Sequence, residues 1–334
     1  MSPAVVTEQR PNELVWSLTN GVVLSKCLHA VAELGVADFI GDRAVSAEEL
    51  AERCGVHAGA LDRVMRLLGE HGVFHPADGG FRHTPASELL RTDHPRSMRA
   101  YARMMGLRGF VEAFMHLEHS IETGAPSVET VNPGGFWAYL HDNPHDARIF
   151  GQAMTARAAA DIAALVAGYD FTRFAAIADI GGGRGHLLRA VLDAAPDARG
   201  VLFELPDVIG ALDVEHERLT PQAGDFFVDP LPAADLYVLM EIIHDWPDAE
   251  CLSILSAVRR AAAPGATVLV IETILHDDRP DPRGRMLDVI MLAISGGRER
   301  TARELDELFQ SAGFGKTTLI ETTGALRMVE TTAV

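Results

Sequence analysis

The residues with the clearest chemical pattern are a run of glycines between a strand-like segment and an apolar, helix-like one. Gly181, Gly183 and Gly185 stand in GGGRG, directly after AAIADI and before HLLRAVLDAA. Glycines let the backbone turn sharply and let a ligand approach closely, and the following helix start offers free N–H groups. Glu204 ends the next strand-like run, about twenty residues on, where a carboxylate suits ribose hydroxyls. The pattern predicts a site for a nucleoside-containing cofactor.

The residue types around the glycines favour one cofactor. Their Gly-x-Gly-x-Gly spacing differs from the Gly-x-Gly-x-x-Gly of dinucleotide-binding folds. Asp179 stands where the strand meets the loop, and its carboxylate is unfavourable beside a pyrophosphate but attractive to an ammonium. S-adenosylmethionine (SAM) has an ammonium, a carboxylate and a sulfonium, and no phosphate. The pattern therefore predicts SAM, with S-adenosylhomocysteine as product. A NAD(P) site and a glycine-rich turn without ligand are the alternatives.

A second cofactor signal is weaker. Asp225 and Phe226 follow another predicted strand, in QAGDFF. A carboxylate and an aromatic ring at a strand end would hold the amino group and the face of an adenine. Gly-Asp is also common turn chemistry, so these two residues alone do not decide the ligand.

The candidate base is His244, in MEIIHDWPD after the strand-like DLYVLME. Ligands of open α/β sheets sit beyond the carboxyl ends of the strands, and a neutral imidazole there would serve as a general base. A buried histidine at a helix start is the alternative, since Asp245-Trp-Pro-Asp also suits a helix N-terminus. Either Glu272, at the end of TVLVIET, or Glu299, in GGRERT, would fix the imidazole tautomer. For Glu299 a solvated loop charge is the competing interpretation.

These residues require a scaffold of alternating strands and helices. From about residue 170 onward, short β-branched runs alternate with helical stretches, which is typical of βαβ units and a parallel sheet. Two strand-like runs around Gly324 predict a closing hairpin at the sheet edge. Upstream, residues 96–123 and 144–168 are predicted helical, and the Gly- and Pro-containing stretch 124–135 is predicted as a loop.

The N-terminal part has the order of a winged helix, over roughly residues 40–90. Helical spacing over 13–40 stops at Gly35. Ser46 and Glu49 form a capping box at the next helix, which ends at Gly55. A second helix follows, and then two short extended pieces around Asp78-Gly79-Gly80, a hairpin signal.

Composition narrows the function classes. The 334 residues include 47 acidic and 29 basic ones, a net charge of −18, the opposite of what a nucleic-acid binder usually carries. Even the winged-helix region, 41–100, has nine acidic against eight basic residues. Three widely spaced cysteines fit free thiols in a reducing compartment. With no signal-peptide layout and no apolar run near the ~18 residues of a membrane span, a soluble cytoplasmic protein without membrane or nucleic-acid partner is expected.

The motifs together resemble one family. DIGGGRGHLLRAVL, FELPDVI, GDFF, IIHDWPDAEC, PGATVLVIET and LDVIMLAISGGRERT occur in the order found in SAM-dependent O-methyltransferases of the plant caffeate/flavonoid and bacterial antibiotic type. The resemblance implies an α/β fold. This is a doubly wound, Rossmann-like seven-stranded sheet with a mostly helical, winged-helix-like N-terminal domain that forms a homodimer.

The resemblance also implies residue roles. Gly181, Glu204, Asp225 and Phe226 would line the SAM site. His244 would be the catalytic base, flanked by Glu272 and Glu299, with Asp245 beside the reacting hydroxyl. The chain departs from plant members at Glu204, where they usually carry Asp, at Met240, where they often carry Lys, and in the shorter stretch ISGG.

The expected organisation is a dimerisation domain over 1–100, linking helices that line the substrate pocket over 101–168, and a SAM-binding catalytic domain over 169–334. The apolar helical face within 13–40 exceeds what a small winged module buries, which predicts a homodimer. Candidate wall residues for a flat aromatic hydroxyl acceptor are Phe136, Trp137, Met154, Met286 and Met291.

The predicted reaction is transfer of the SAM methyl group to a hydroxyl oxygen of a small aromatic acceptor. No metal is expected, because the leaving group is neutral. Two alternatives remain at this point: a SAM-binding homologue that assists hydroxylation or decarboxylation, since fold does not fix function, and a winged-helix DNA-binding regulator.

Overall fold

The structure, a computed structural model, describes residues 10–212 and 216–334. It divides into two compact units, Met1–Leu107 and Arg108–Val334. The division falls after Leu107, and residues 108–168, expected as linking helices, group with the second unit. Residues 1–9 lie outside the described residues, and the prediction that the N-terminus has no signal-peptide layout falls largely on them.

The first unit is helical with one hairpin. Ser46 Oγ accepts a hydrogen bond from Glu49 N at 3.2 Å at the start of the third helix, and Gly55, with φ of 68°, ends that helix. Leu50, Met65 and Phe74 are buried in the core of the unit. The elements are α1 (Pro11–Thr19), α2 (Gly21–Leu34), a 3-10 helix (Val36–Phe39), α3 (Ala47–Cys54), α4 (Ala58–Glu70), β1 (Phe74–Ala77), β2 (Gly80–His83), α5 (Pro85–Glu88) and α6 (Arg99–Met104). β1 and β2 pair antiparallel, in the predicted winged-helix order.

An apolar face on α1 and the start of α2 is exposed in the single chain. The side chains are 46% to 74% exposed at Leu14, Val15, Trp16, Leu18, Val22 and Val23. The helical segment Pro11–Leu34 contains an 18-residue window with a mean hydropathy of 1.2, of which 6% is buried. By length and composition alone, this segment could cross a membrane. The expectation that no apolar run approaches the length of a membrane span is therefore wrong for this segment, because its few charged residues are widely spaced.

The second unit begins with helices and continues as an α/β sheet. Its first elements are α7 (Arg108–Met115), α8 (Leu117–Thr123), a 3-10 helix (Ser127–Thr130), α9 (Gly135–Asp142), α10 (Pro144–Gly168) and a 3-10 helix (Phe171–Arg173). The sheet region contains β3 (Ala176–Ile180), α11 (His186–Ala194), β4 (Arg199–Glu204), α12 (Pro206–Gly210), β5 (Leu219–Ala223), β6 (Leu236–Met240), a 3-10 helix (Ile243–Asp245), α13 (Asp248–Ala261) and β7 (Thr267–Glu272). It ends with β8 (Ile274–Leu275), α14 (Pro282–Ile294), β9 (Arg300–Thr301), α15 (Ala302–Ser311), β10 (Thr318–Ile320) and β11 (Arg327–Thr332).

The stretch 96–123 is helical as predicted, and it is divided into α6, α7 and α8. Gly106 lies between α6 and α7, where glycine costs about 1 kcal/mol in a helix relative to alanine. The predicted loop 124–135 contains the 3-10 helix Ser127–Thr130. It is held by buried Ser127, whose hydroxyl donates to the carbonyls of Ala113 (2.7 Å) and Ala293 (3.3 Å).

The main sheet has seven strands in the order β10-β11-β7-β6-β3-β4-β5. All neighbours are parallel except the terminal hairpin, in which β11 runs antiparallel to β10 and β7; the predicted hairpin is confirmed. The chain winds outward from β3 through β5, then returns to place β6 on the other side of β3. Such a reversal opens a crevice at the carboxyl ends of the two central strands.

Helices cover both faces of this sheet. Alternate residues of β3 point to opposite faces, so Ile180 joins a core that contains Cys251 and Phe309, and Ile177 joins a core that contains Leu165 and Leu188. The fold is the predicted doubly wound one, and Asp179 and the turn after β6 lie at its central crevice.

Candidate active site

The glycine loop after β3 is shaped for close approach. Gly181, Gly183 and Gly185 have φ of 70°, 56° and 69°, a conformation that side chains with a Cβ rarely adopt. A Cβ on Gly181 would lie 2.6 Å from Ile242 Cδ1 and 3.7 Å from the Phe226 ring. The loop therefore meets the segment after β6 and the ring of Phe226, so three of the sequence motifs converge.

Two carboxylates, of buried Asp179 and half-buried Glu204, lie beneath this loop without a cation. Asp179 is 1% exposed, and neither of its carboxylate oxygens has a hydrogen-bond partner among the described residues. Burial, with the charge of Glu204 added, raises the pKa of Asp179 to about 7. Glu204 accepts hydrogen bonds from the backbone N–H groups of Gly183 (2.9 Å) and Leu205 (2.7 Å), although burial raises its pKa as well. This part of the site fits a cationic ligand group.

Asp225 and Phe226 occupy the loop after β5. Asp225 Oδ1 accepts from Phe227 N at 2.8 Å, which is the turn chemistry considered for this motif, and a second carboxylate oxygen remains for a ligand. The ring of Phe226 lies edge-on to Trp246, with centroids 6.0 Å apart. The carboxylates of Asp179, Glu204 and Asp225 beside an aromatic ring fit SAM, which has a cationic group and hydroxyls to be bound and needs no phosphate site.

The structure brings His244, Glu272 and Glu299 into one buried cluster. His244 lies in the 3-10 helix after β6 and is 4% exposed. Its Nδ1 lies 2.9 Å from Glu299 Oε1, and its backbone N–H donates to Glu272 Oε1 at 3.0 Å. The choice left open by the sequence is thus resolved in the geometry, because Glu299 contacts the ring and Glu272 holds the backbone.

A glycine permits this approach. A Cβ on Gly297 would lie 2.0 Å from the carbonyl oxygen of His244, so only glycine lets the segment before β9 pass so close. The Gly-Gly pair two residues before Glu299 was the available signal. It indicates a packed backbone rather than the solvated loop considered as an alternative, and Glu299 is 2% exposed.

The cluster favours a charged imidazole. Burial opposes the imidazolium, but the carboxylates of Asp245, Glu299 and Glu272 outweigh it and raise the pKa of His244 to about 10. Burial also raises the pKa of Glu272 to about 7 and that of Asp245 to about 6, against the opposing effect of His244. The sequence-based expectation of a neutral imidazole therefore differs from the free protein. The same shift makes His244 a stronger base.

An ion pair beside the cluster was not found from the sequence. Arg157 of α10 pairs with Glu241, which directly follows β6, and both side chains are 12% exposed. Glu241 has φ of 54°, the one positive value at a non-glycine residue among those described, a conformation that strains a residue with a Cβ. The charges of this pair act in opposite directions on the pKa of Asp245. Because 84 positions separate the partners, spacing carried no signal for them.

Aromatic rings continue from the cofactor side toward the predicted acceptor residues. Trp137 stacks on Trp246, with centroids 6.2 Å apart and planes at 22°, and Phe136 lies edge-on to Trp137 at 5.4 Å. Of the predicted methionines, Met291 is buried, Met154 is partly buried, and Met286 is 68% exposed on α14. Trp246 is thus placed between Phe226 and the Phe136–Trp137 pair, a link that the sequence did not indicate.

No group of three or more His, Cys, Asp or Glu side chains with metal-binding geometry occurs within residues 10–212 and 216–334. The buried carboxylates of Glu272 and Glu299 each place one oxygen on His244.

Comparisons with known proteins agree with this geometry. A family model for the O-methyltransferase domain matches residues 114–315, and one for the O-methyltransferase dimerisation domain matches residues 16–93. Phenazine O-methyltransferase PhzM of Lysobacter antibioticus is 34% identical over 326 residues, 96% of this chain and 95% of that protein. O-demethylpuromycin-O-methyltransferase of Streptomyces alboniger is 36% identical, with 94% and 85% covered.

A solved structure adds the cofactor. It is an O-methyltransferase from neocarzinostatin biosynthesis in complex with S-adenosylmethionine and 2-hydroxy-5-methyl naphthoic acid. It matches with a TM-score of 0.78 and 34% identity, covering 93% of this chain and 96% of that one. The buried, unpaired carboxylate under the glycine loop, the histidine–glutamate cluster and both domain matches lead to the same conclusion: this chain belongs to the SAM-dependent O-methyltransferases, together with enzymes of bacterial secondary metabolism.

Proposed function

We propose that the enzyme methylates a hydroxyl group of a small aromatic acceptor, with His244 as general base and without a metal. The observation that carries this proposal is the 2.9 Å contact between Glu299 Oε1 and His244 Nδ1. It keeps a proton on Nδ1, so that Nε2 is the nitrogen of the unprotonated ring that accepts a proton from the acceptor.

The base strength of His244 suits a phenol. A free phenol has a pKa of about 10, and the carboxylates raise the pKa of His244 to about 10 as well. When donor and acceptor are matched in this way, a proton moves between them at little cost, and the phenolate that results is held beside an imidazolium. General-base catalysis of this kind contributes about 10²–10⁴-fold, and correct positioning of the two reactants contributes further.

Under this proposal the cofactor is held by the residues beneath and beside the glycine loop. Asp179 would receive a cationic group, Glu204 the ribose hydroxyls, and Asp225 and Phe226 the adenine, with Gly181, Gly183 and Gly185 allowing backbone contact. When bound, SAM supplies an activated methyl group whose leaving group is neutral. Asp245, whose Oδ1 is 3.7 Å from His244 Nε2, would lie next to the reacting hydroxyl.

The acceptor class is inferred from chemistry and from relatives. The rings of Trp137 and Trp246 are exposed at least in part and offer flat apolar surface, which favours an aromatic partner. Buried Phe136 packs edge-on against Trp137 and stays a proposed wall residue. The names of the matched proteins mention phenazine and a naphthoic acid. Met154, Met286 and Met291 stay proposed wall residues, with Met286 the most exposed of the three.

The test is transfer of a labelled methyl group from SAM to a panel of hydroxylated aromatic compounds, with the product mass measured. Each acceptor is paired with the same compound already methylated at oxygen, which should give no product. Turnover should be unchanged after treatment with EDTA. Label found on nitrogen or carbon only, or hydroxylated or decarboxylated products, would contradict the proposal. EDTA inhibition that Mg²⁺ or Zn²⁺ restores would contradict the metal-free part.

We also propose that the exposed apolar face of α1 and α2 is buried in a homodimer. The dimerisation-domain match covers residues 16–93, which includes Trp16, Leu18, Val22 and Val23 of this face. Light scattering at micromolar concentration should give twice the mass of the chain. A monomer, or a chain that fractionates with membranes instead of the cytoplasm, would contradict this proposal.

A further inference from the structure

Arg300 is the largest charged side chain that is fully buried, at 1% exposure. A buried guanidinium is costly unless its donors are paired. Two of its contacts are backbone carbonyl oxygens: Nη1 donates to Ile243 O at 3.0 Å, and Nη2 donates to Trp246 O at 2.9 Å. Those two carbonyls lie on either side of the dipeptide His244-Asp245.

The counter-charge comes from the start of α13. Asp248 Oδ1 accepts from Arg300 Nη2 at 2.7 Å and from Arg300 Nε at 3.2 Å. Asp248 Oδ2 accepts from exposed Arg298 at 2.9 Å. The planar guanidinium of Arg300 thus binds the Asp248 carboxylate and the carbonyls of Ile243 and Trp246 at once. The compact ammonium group of a lysine cannot make the same set of contacts.

Neighbouring residues contact the catalytic turn, residues 243–246 after β6, in two different ways. Glu299 and Arg300 are consecutive, and their side chains reach different parts of it. Glu299 contacts the ring of His244, and Arg300 holds the backbone before and after it. Because Glu272 also binds the backbone N–H of His244, the turn is fixed on each side and only the ring Nε2 is left toward the acceptor.

We propose that Arg300 is a positioning residue for methyl transfer. It acts through the orientation of His244 and does not touch cofactor or acceptor. This inference rests on the proposed role of His244 as base. A misplacement of about 1 Å in a reacting group can cost about 10²-fold in rate, so loss of the clamp reduces turnover without weakening SAM binding.

The test is a double-mutant cycle between Arg300→Lys and His244→Ala, measured by labelled methyl transfer. In the native background, Arg300→Lys should lower kcat about 10-fold or more, with SAM affinity within about 2-fold of native. In the His244→Ala background the same change should alter kcat by less than about 2-fold, because the base that it positions is gone. Arg298→Met, which removes the exposed partner of Asp248, is the matched control and should leave kcat unchanged.

Equal losses in both backgrounds, or a parallel loss of SAM affinity, would show a structural role and overturn the proposal. If Arg300→Lys does not fold, Asp248→Asn is used in the same cycle and decides by the same comparison, since the Asp248 side chain is 53% exposed. Failure of the general-base role is distinguishable from failure of the Arg300 proposal, because the His244→Ala single variant would then retain native turnover.

Discussion

The catalytic turn and the glycine loop both contain buried carboxylates, and they differ in how those charges are balanced. In the turn, one oxygen of Glu272 and one of Glu299 each contact His244, whose imidazole can carry the compensating charge. In the loop, neither side-chain oxygen of Asp179 has a partner at hydrogen-bond distance among the described residues. Only the backbone N–H of Leu188 opposes the rise in the pKa of Asp179 that burial and Glu204 cause. The second oxygens of Glu272 and Glu299 have no partner among the described residues, so one imidazole balances the turn only in part. The turn nevertheless has a positive group of its own, whereas the loop is arranged for one that a ligand brings.

The largest effect is expected at the turn. His244→Ala should lower turnover with a phenolic acceptor by about 10²–10⁴-fold at pH 7, with little change in SAM affinity, because no proposed cofactor contact is removed. High pH should restore part of the rate, since more phenolate then forms without a base. The exposed His75→Ala serves as control. If instead melting temperature and SAM affinity fall together and high pH gives no rescue, His244 is structural.

The native enzyme has its own pH signature in the same experiment. The base must be unprotonated to accept a proton, and the carboxylates raise the pKa of His244 above its ordinary value. Turnover should therefore rise with pH through the neutral range and level off only near that raised pKa. A plateau that begins near pH 7 would show an imidazole unaffected by its carboxylates.

A smaller effect is expected at the loop. Gly181→Val places a branched side chain at φ of 70° and against Ile242. The backbone strain and the overpacking together cost about 3 kcal/mol. If the loop shifts to relieve them, SAM affinity should fall by about 100-fold, which isothermal calorimetry measures. Gly210→Ala is the control, since a Cβ there meets nothing within 4 Å. Affinity within a few-fold of native would contradict the assignment of the loop.

The smallest effect tests the unbalanced charge directly. Asp179→Asn removes a carboxylate whose folded pKa is raised to about 7, so the native protein loses stability as pH rises from the unfolded pKa of about 4 through 7. The variant should therefore be more stable than the native protein at pH 8, and the difference should disappear near pH 4. It should also bind SAM about tenfold more weakly.

Thermal melts at both pH values, with exposed Asp197→Asn as control, check the stability difference. A variant that is less stable at pH 8 would mean that Asp179 already has a partner in the free protein. Glu299→Gln supplies the contrast between the two regions, because removing a carboxylate that balances His244 should destabilise the protein at the same pH.

The contiguous motifs were the predictable part of the site. Asp179 and the glycines lie within seven residues, and strand, loop and helix chemistry agree there, so the sequence sufficed. The parallel sheet followed from alternating patterns in the same way, whereas its doubly wound, seven-stranded form was implied by the family resemblance. The roles of Glu272 and Glu299 stayed open because 28 and 55 positions separate them from His244, and only the strand order decides which one reaches the ring.

Ion pairs of opposite charge over long separations were not predictable. Arg157–Glu241 and Arg300–Asp248 each join residues from distant elements, and the chain contains many charges that form exposed pairs instead. Asp248 illustrates the difficulty. Its place at the start of α13 is sufficient to explain an acidic residue there, so nothing in the local pattern indicated a buried partner.

The position of β11 determines when the catalytic edge is completed during synthesis. β7, which ends in Glu272, pairs with β6 on one side and with β11 on the other, where Glu272 is opposite Arg327. Until residues 327–332 have been made, β7 is an edge strand with unpaired backbone groups. Because Val329 and Met328 of β11 are also fully buried in the cores on the two faces of the sheet, proteolytic trimming into β11 should destabilise the base and the glycine loop together.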